Sequence, residues 1–348
     1  MPYPDEAVGF MADGPESFGT FTKRAYKLKP FEEFDIDVKV EACGICGSDV
    51  HTVSGGWGEQ LFPLCCGHEI VGTAVRVGPK VTTIKEGQRV GIGAQAYSCG
   101  ECKQCRNGNE NYCPVNSINT YGSKWPDTGI VSQGGYGSHV RAHEHWVFPI
   151  PEALETTNVA PMLCAGLTAF SRWYATVPGR GRRLALGAET WAISRSRAKE
   201  ADAKKLGADG YIATAEEGWE KPHLTSFDLI VNCANSSKGF DLPRYLSMMD
   251  VHGRWISVGL PEEEGQVIKA QNLISNGVLI GATHIGNRQE MLAMLKLAAE
   301  KGLRSYVEEI QIGEEGLKQA MQRMKKGDVR YRFILTGYDK HFARDLKI

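Results

Sequence analysis

The sequence predicts an α/β chain of two domains, one β-rich and one built on a doubly wound parallel sheet, and three observations predict it. The 348 residues, 42% of them hydrophobic, suffice for two cores rather than one. The first part carries short alternating stretches bounded by glycine and proline, the pattern of half-buried strands. From residue 156 to 287, short apolar runs alternate with helical stretches, as in a parallel sheet wound by crossover helices.

Asp35 to Ala42 alternates as I-D-V-K-V-E-A after its first residue, a half-buried strand that delivers Cys46 just beyond its end. Glu69 to Val77 and Gln88 to Ile92 continue the β pattern, with Gly78-Pro79 and Glu86-Gly87 as turns. Val131 to Pro151 resumes strands and closes the first domain. His143 and His145 are expected there on a solvent-directed strand face, and with His139 they read as surface histidines rather than as a metal site. In the second domain Thr190 to Ser194 reads as a short strand, followed by a helix through Arg197 to Leu206 that Gly207 ends. Phe227 to Cys233, Gly253 to Gly259 and Gly277 to Ala282 read as buried strands. Arg288 to Lys301 has the spacing of an amphipathic helix, and Tyr306 to Ile312 and Tyr331 to Gly337 read as strands.

Composition excludes several functions. A net charge of -1 favours neither nucleic acid nor an anionic membrane. No apolar run approaches the ~20 residues of a membrane helix. Met1 to Phe10, with Asp5 and Glu6, does not read as a signal peptide, so a soluble cytoplasmic protein is expected. Ten cysteines in such a chain point to metal and thiol chemistry rather than to a disulfide framework.

The chemistry-bearing stretch is Cys43 to His51, C-G-I-C-G-S-D-V-H, with Gly67-His68-Glu69 downstream. Cys46 suits zinc as a thiolate and His68 as a neutral imidazole. A third ligand from elsewhere would leave one position open for chemistry, whereas a fourth would close the site. The plainer reading is a glycine turn around a buried cysteine. A second signal is Cys99, Cys102, Cys105 and Cys113, in C-x-x-C-x-x-C-x7-C, within a polar segment that has no apolar periodicity. Four thiolates suit closed tetrahedral zinc, and the same spacing is shared with iron–sulfur proteins, so both stay open on spacing alone. Cys164, in A-P-M-L-C-A-G-L-T-A, reads by itself as a buried thiol.

Taken together, E-A-C-G-I-C-G-S-D-V-H, G-H-E-I-V-G, the four-cysteine segment, S-Q-G-G-Y, H-E-H-W-V-F-P-I-P, L-C-A-G-L-T, I-S-R-S and G-D-V-R-Y-R-F run through nearly the whole chain. In this order they resemble the zinc-dependent medium-chain alcohol dehydrogenases, within them the cinnamyl alcohol dehydrogenase group and the fungal NADP-dependent enzymes. The resemblance implies a GroES-like catalytic domain over 1–155 and 288–348 and a Rossmann-type NADP-binding domain over 156–287. It implies two zinc ions, a catalytic one on Cys46, His68 and Cys164 with Glu69 as an alternate ligand, and a structural one on Cys99, Cys102, Cys105 and Cys113. It also implies Asp49 as an orienting residue, Ser48 and His51 as a proton relay to solvent, and Trp57 in the substrate channel. The implied reaction interconverts primary alcohols and aldehydes, aromatic and medium-chain, in a homodimer. A polyol dehydrogenase is the competing enzyme reading, disfavoured by the full four-cysteine segment together with Cys164.

Cofactor choice is read at the end of the Thr190 strand, where NAD sites place an acid for the ribose 2′-hydroxyl. Here stand Ser194, Arg195 and Ser196, with Lys199 a turn further, which suits the 2′-phosphate of NADP. Thr168, Val258 and Arg330 are further expected contacts. One departure stands out. The fingerprint G-x-G-x-x-G should follow a first buried strand and open a helix. Instead Pro178 to Gly187, P-G-R-G-R-R-L-A-L-G, runs almost directly into the Thr190 strand. Relative to the family, the chain lacks the first strand and its phosphate loop, on the order of 15 to 20 residues by the usual length of such elements. Arg182 to Gly187 reads as the remaining end of the helix. An inactive mis-spliced product and a non-catalytic zinc-binding paralogue are the alternatives this opens.

Overall fold

The computed structural model describes residues 5–176, 189–236, 239–262, 265 and 268–343. The chain divides into two units, residues 1–170 with 285–348, and residues 171–284. Pro178 to Gly187, where the sequence points to the lost strand, phosphate loop and helix end, lies outside the described residues. Among those described, no helix is long and apolar enough to cross a membrane.

The first unit opens with a hairpin, β1 (Glu6–Met11) on β2 (Thr22–Lys27), and continues into β3 (Asp35–Ile45), α1 (Gly47–Ser54), β4 (Glu69–Val77), β5 (Arg89–Ile92) and β6 (Gln95–Ser98). The short helix α2 (Lys103–Arg106), then β7 (Ser117–Asn119), β8 (His139–His143), β9 (Val147–Pro149), α3 (Thr156–Val159) and α4 (Ala165–Thr176), whose last six residues belong to the second unit, follow. The second unit holds β10 (Trp191–Ser194), α5 (Glu200–Lys205), β11 (Gly210–Ala213), β12 (Phe227–Asn232), α6 (Leu242–Ser247), β13 (Met249–Ser257) and β14 (Leu279–Ala282). The chain then returns as α7 (Arg288–Lys301), β15 (Val307–Gln311), α8 (Glu314–Lys325), β16 (Arg332–Thr336) and α9 (Tyr338–Phe342).

In the first unit seven strands form one sheet in the order β15-β16-β3-β4-β5-β9, with β8 also on β3, while β1-β2 and β6-β7 are separate two-stranded pairs. The central strand is β3: β4 pairs along one edge, while β8 and β16 share the other, at Asp35–Lys39 and Cys43–Ile45 respectively. Its alternation predicted one wet face, and the structure differs. Asp37 is fully buried, because Arg141 of β8 donates to its two oxygens from Nε at 2.6 Å and from Nη2 at 2.9 Å. A charge-assisted fork of this kind makes burial of a carboxylate tolerable. Ile36, Val38 and Val40 fill the apolar side, each contributing about 1.5–3 kcal/mol by leaving water. The histidines also depart from expectation. His139 is buried on β8, His143 is half-buried, and His145 lies in a separate 3₁₀ turn, Glu144–Trp146.

In the second unit β11 pairs with β10, and β12, β13 and β14 form a separate parallel set. No described residue pairs with the remaining edge of β10 or of β12. Side-chain packing, as of Trp191 edge-on to Phe227 at 6.2 Å between ring centroids, brings the two sets into a shared core. The strands expected to be buried are largely half-exposed: in β12 only Ile230 is buried, and in β14 none is. Burial on both faces requires covering helices, and the described ones here, α5 and α6, have six residues each.

Candidate metal centres

Strand β3 ends at Ile45 and Cys46 follows at once, so the sheet fixes the first ligand position. Helix α1 then starts on Cys46. Asp49, three residues on, accepts a hydrogen bond from the Cys46 amide at 2.7 Å and so ties the first turn back to the ligand. Gly55, at φ 72°, ends the helix in the left-handed region. The same Asp49 carboxylate accepts from the Gly67 amide at 3.2 Å and from the Tyr136 hydroxyl at 3.0 Å. It therefore joins the Cys46 and His68 segments through backbone groups. Its Oδ1 is 3.9 Å from His68 Nδ1, beyond hydrogen-bond range.

Cys46, His68, Glu69 and Cys164 each present a ligand atom, all within 4.8 Å of one another. The Cys46 and Cys164 sulfurs are 3.8 Å apart, about the edge of a tetrahedron with ~2.3 Å zinc–sulfur bonds. Nε2 of His68 and both oxygens of Glu69 are buried without a hydrogen-bond partner. Buried polar atoms in that condition call for a partner, and a zinc ion fits this donor set. Gly44 is required opposite, since a Cβ there would lie 1.9 Å from Glu69 Oε2.

The electrostatics reflect the crowding. The hydrogen bond from Cys164 holds the Cys46 thiol well below its usual range against the opposing effect of burial, with the charges of Arg332 and His68 assisting. The same contact, with burial, pushes Cys164 up. Burial raises Glu69 to about 8 although Arg332 opposes it. Burial would lower His68, but Asp49 and Cys46 outweigh that and raise it to about 9.

Two neighbours carry no signal in the residue types alone. Arg332, on β16, places Nη2 3.5 Å from Glu69 Oε1 and donates from Nη1 to the Ile45 carbonyl at 3.0 Å. The sequence singles out Arg330 in the same motif, yet Arg330 is exposed and its amide donates to Glu308 at 2.7 Å. Tyr121 stacks on His68 at 5.5 Å between ring centroids. Among the expected residues, Ser48 Oγ lies 3.6 Å from Cys46 Sγ. His51 is buried on α1, and the turn after Gly55 folds Trp57 flat against it, 4.7 Å between centroids and 19° between planes.

The second centre is Cys99, Cys102, Cys105 and Cys113, whose sulfurs lie 3.5 to 4.0 Å apart along four of their edges. That spacing suits one small tetrahedral ion and is too tight for a multi-iron cluster. Backbone amides of Cys102, Cys105 and Asn116 donate to the sulfurs of Cys99, Cys102 and Cys113 at 3.4 to 3.5 Å, which supports thiolates.

The expected cofactor contacts fall on both units. Thr168, on α4, donates its hydroxyl to the Cys164 carbonyl at 2.8 Å, and with Arg330 it belongs to the first unit. In the second, Ser194 ends β10, Arg195 follows with an exposed side chain, and Lys199 ends the next 3₁₀ turn. Val258 follows β13, its amide bonded to the Asn232 carbonyl at 2.9 Å. Ser194, Arg195 and Val258 thus stand at the carboxyl ends of their strands, where parallel sheets bind ligands.

Residues 32–152 match the alcohol dehydrogenase GroES-like domain, and residues 183–300 match the zinc-binding dehydrogenase family. The chain is 44% identical to NADP-dependent alcohol dehydrogenase 6 of Saccharomyces cerevisiae, over 99% of this chain and 100% of that protein. That alignment runs over 362 positions, 14 more than the 348 residues here, so at least that many face a gap in this chain. It is 34% identical to cinnamyl alcohol dehydrogenase 2 of Arabidopsis thaliana, over 95% of this chain and 91% of that one. A cinnamyl alcohol dehydrogenase of Sorghum bicolor superposes with a TM-score of 0.85 at 27% identity, covering 95% of this chain and 97% of that one. A GroES-like first unit, a Rossmann-type second unit, a zinc-type donor set and full-length relatives agree: the chain belongs to the zinc-type medium-chain alcohol dehydrogenase family.

Proposed function

We propose that the chain interconverts primary alcohols and aldehydes, aromatic and medium-chain, by zinc-dependent hydride transfer with NADP(H). The observation that carries the reading is the buried cluster of Cys46, His68 and Cys164 with Glu69 beside Arg332. Zinc there supplies Lewis-acid polarisation of the substrate oxygen, and the nicotinamide supplies or accepts the hydride. Arg332, with Nη2 3.5 Å from Glu69 Oε1, would compete for that carboxylate, so that Cys46, His68 and Cys164 would hold the ion and leave a place for substrate. Ser48, at the edge of the cluster, hands a proton to or from the reacting oxygen, and His51 carries it to solvent beneath Trp57. The exposed side of the Trp57 indole offers an apolar wall suited to aromatic substrates. Arg195, with Ser194 and Lys199, receives the 2′-phosphate. The names of the relatives support both NADP and the aromatic alcohols. Family resemblance supports a homodimer, and ten free thiols support a reducing, cytoplasmic setting.

One observation favours a second reading, a zinc-binding chain without turnover: the described strands of the second unit form two sets, split between β10 and β12. A first strand with its glycine loop would hold the pyrophosphate there in a doubly wound sheet. Isothermal titration with NADPH on the two-zinc protein, paired with NADPH-linked reduction of benzaldehyde, separates the two. Binding with turnover supports the dehydrogenase. No binding while both zincs are retained leaves the second reading.

A further inference from the structure

We propose that the four-cysteine segment is a latch for the start of α7, and that Glu110 transmits its metal occupancy to that helix. Glu110 opens a 3₁₀ turn, Glu110–Tyr112, three residues before Cys113, and is 5% exposed. Its Oε1 accepts from the Arg288 amide at 2.8 Å and lies 3.0 Å from His145 Nε2. Burial alone would raise this carboxyl; the bonds from His145 and Arg288 outweigh it and hold the group below its ordinary range, as an ionised acceptor. The Gly108 carbonyl accepts from Asn287 Nδ2 at 2.7 Å. Asn287 caps the helix, accepting from the Glu290 amide at 2.8 Å while Glu290 accepts from the Asn287 amide at 2.9 Å. Arg288 Nη1 donates to the carbonyls of Glu144, His145 and Val147 at 2.6 to 3.0 Å.

The first N–H groups of a helix have no partner within it. Here Glu110 supplies one for Arg288, and Asn287 supplies one for Glu290. The segment is held at one end, where Glu110, Asn111 and Cys113 are buried and the Asn111 carbonyl accepts from Gln95 Nε2 at 3.3 Å, but the stretch leading to it is loose: α2 has four residues and none is buried. Metal ligation is what fixes a stretch of that kind. The second unit ends at His284 and α7 begins at Arg288, so the latch sits where the chain re-enters the first unit. Coupling of two binding events is reciprocal: zinc in the segment secures α7, and an intact Glu110 contact retains the zinc. The proposal rests on zinc occupying the segment and not on turnover.

The test is hydrogen exchange, read by mass spectrometry on the full chain, with zinc release to a chromophoric chelator followed in parallel. Glu110→Ala is expected to speed exchange in the first turn of α7 about tenfold and zinc release from the four cysteines by a similar factor. Glu110→Gln, which keeps an oxygen acceptor, falls between. In a Cys46→Ala chain, whose one zinc lies in the four-cysteine segment, stripping that zinc is expected to speed the same turn while β3 and β4 stay protected. That second arm decides the matter if Glu110→Ala does not fold. Unchanged exchange at the start of α7 on stripping overturns the proposal, as does faster exchange in Glu110→Ala with zinc release unaltered. A Cys46→Ala chain that carries no zinc at all defeats the metal reading of the segment, and the latch with it.

Discussion

At Gly44 a single methyl group is enough to disturb the metal site. Its Cβ would meet Glu69 Oε2 at 1.9 Å and Glu69 Cβ at 2.9 Å, inside a fully packed sheet. Gly44→Ala is expected to cost about 1–3 kcal/mol of stability as overpacking does, measured by urea unfolding. Elemental analysis should show one zinc per chain instead of two, since the four cysteines are untouched. His139 makes a different kind of statement. It is 3% exposed, and burial, with the charges of Lys39 and Arg141, lowers it to about 4. A histidine kept neutral in the folded state takes up its proton near pH 6.5 when unfolded. Its contribution is therefore present above that pH and is lost as pH falls toward 4. His139→Gln should flatten the decline in unfolding free energy between pH 7 and pH 4.5 by about 2–3 kcal/mol, and an unchanged slope would refute the assignment.

At the scale of elements, β3 and α1 form one device. The strand delivers Cys46, the helix begins on it, and Asp49 ties both to the Gly67 turn ahead of His68. Asp49→Ala leaves the amides of Cys46 and Gly67 and the Tyr136 hydroxyl without their acceptor, at about 1–3 kcal/mol for each buried donor left unmade. We expect a lowered melting temperature and loss of zinc from the Cys46 site, with the four-cysteine zinc retained on elemental analysis. Legibility also differs by element. Glu69–Val77 and Arg288–Lys301 were readable to the residue, because β-branched alternation and a capped helical repeat are local signals. Helix α1 was not: its eight residues are mostly polar, and Asp49, His51 and Thr52 are buried by tertiary contacts that no periodicity encodes. Helix α8 is missing from the sequence reading: Leu317, Ala320 and Met321 have helical spacing, but Gly316 interrupts the first turn. The cysteines and His68 announce a metal by residue type, whereas Arg332 reaches Glu69 only because β16 pairs antiparallel with the end of β3, a long-range register.

At the scale of the molecule, the two units stand in unequal states. The first has a seven-stranded sheet, two clusters of metal-ligating residue types and an acceptor for the buried donors around Cys46. The second has Ser194 and Arg195 at the end of β10, the residues proposed for the 2′-phosphate, while its described strands form two sets. The reading of the chain as a dehydrogenase accordingly turns on whether the remaining contacts hold the nicotinamide. The direct measurement is NADPH-linked benzaldehyde reduction by protein verified to carry two zincs, run beside a calorimetric titration with NADPH. The account predicts binding and turnover, with turnover abolished in Cys46→Ala while the four-cysteine zinc is retained. Two zincs per chain with neither NADPH binding nor turnover would contradict it.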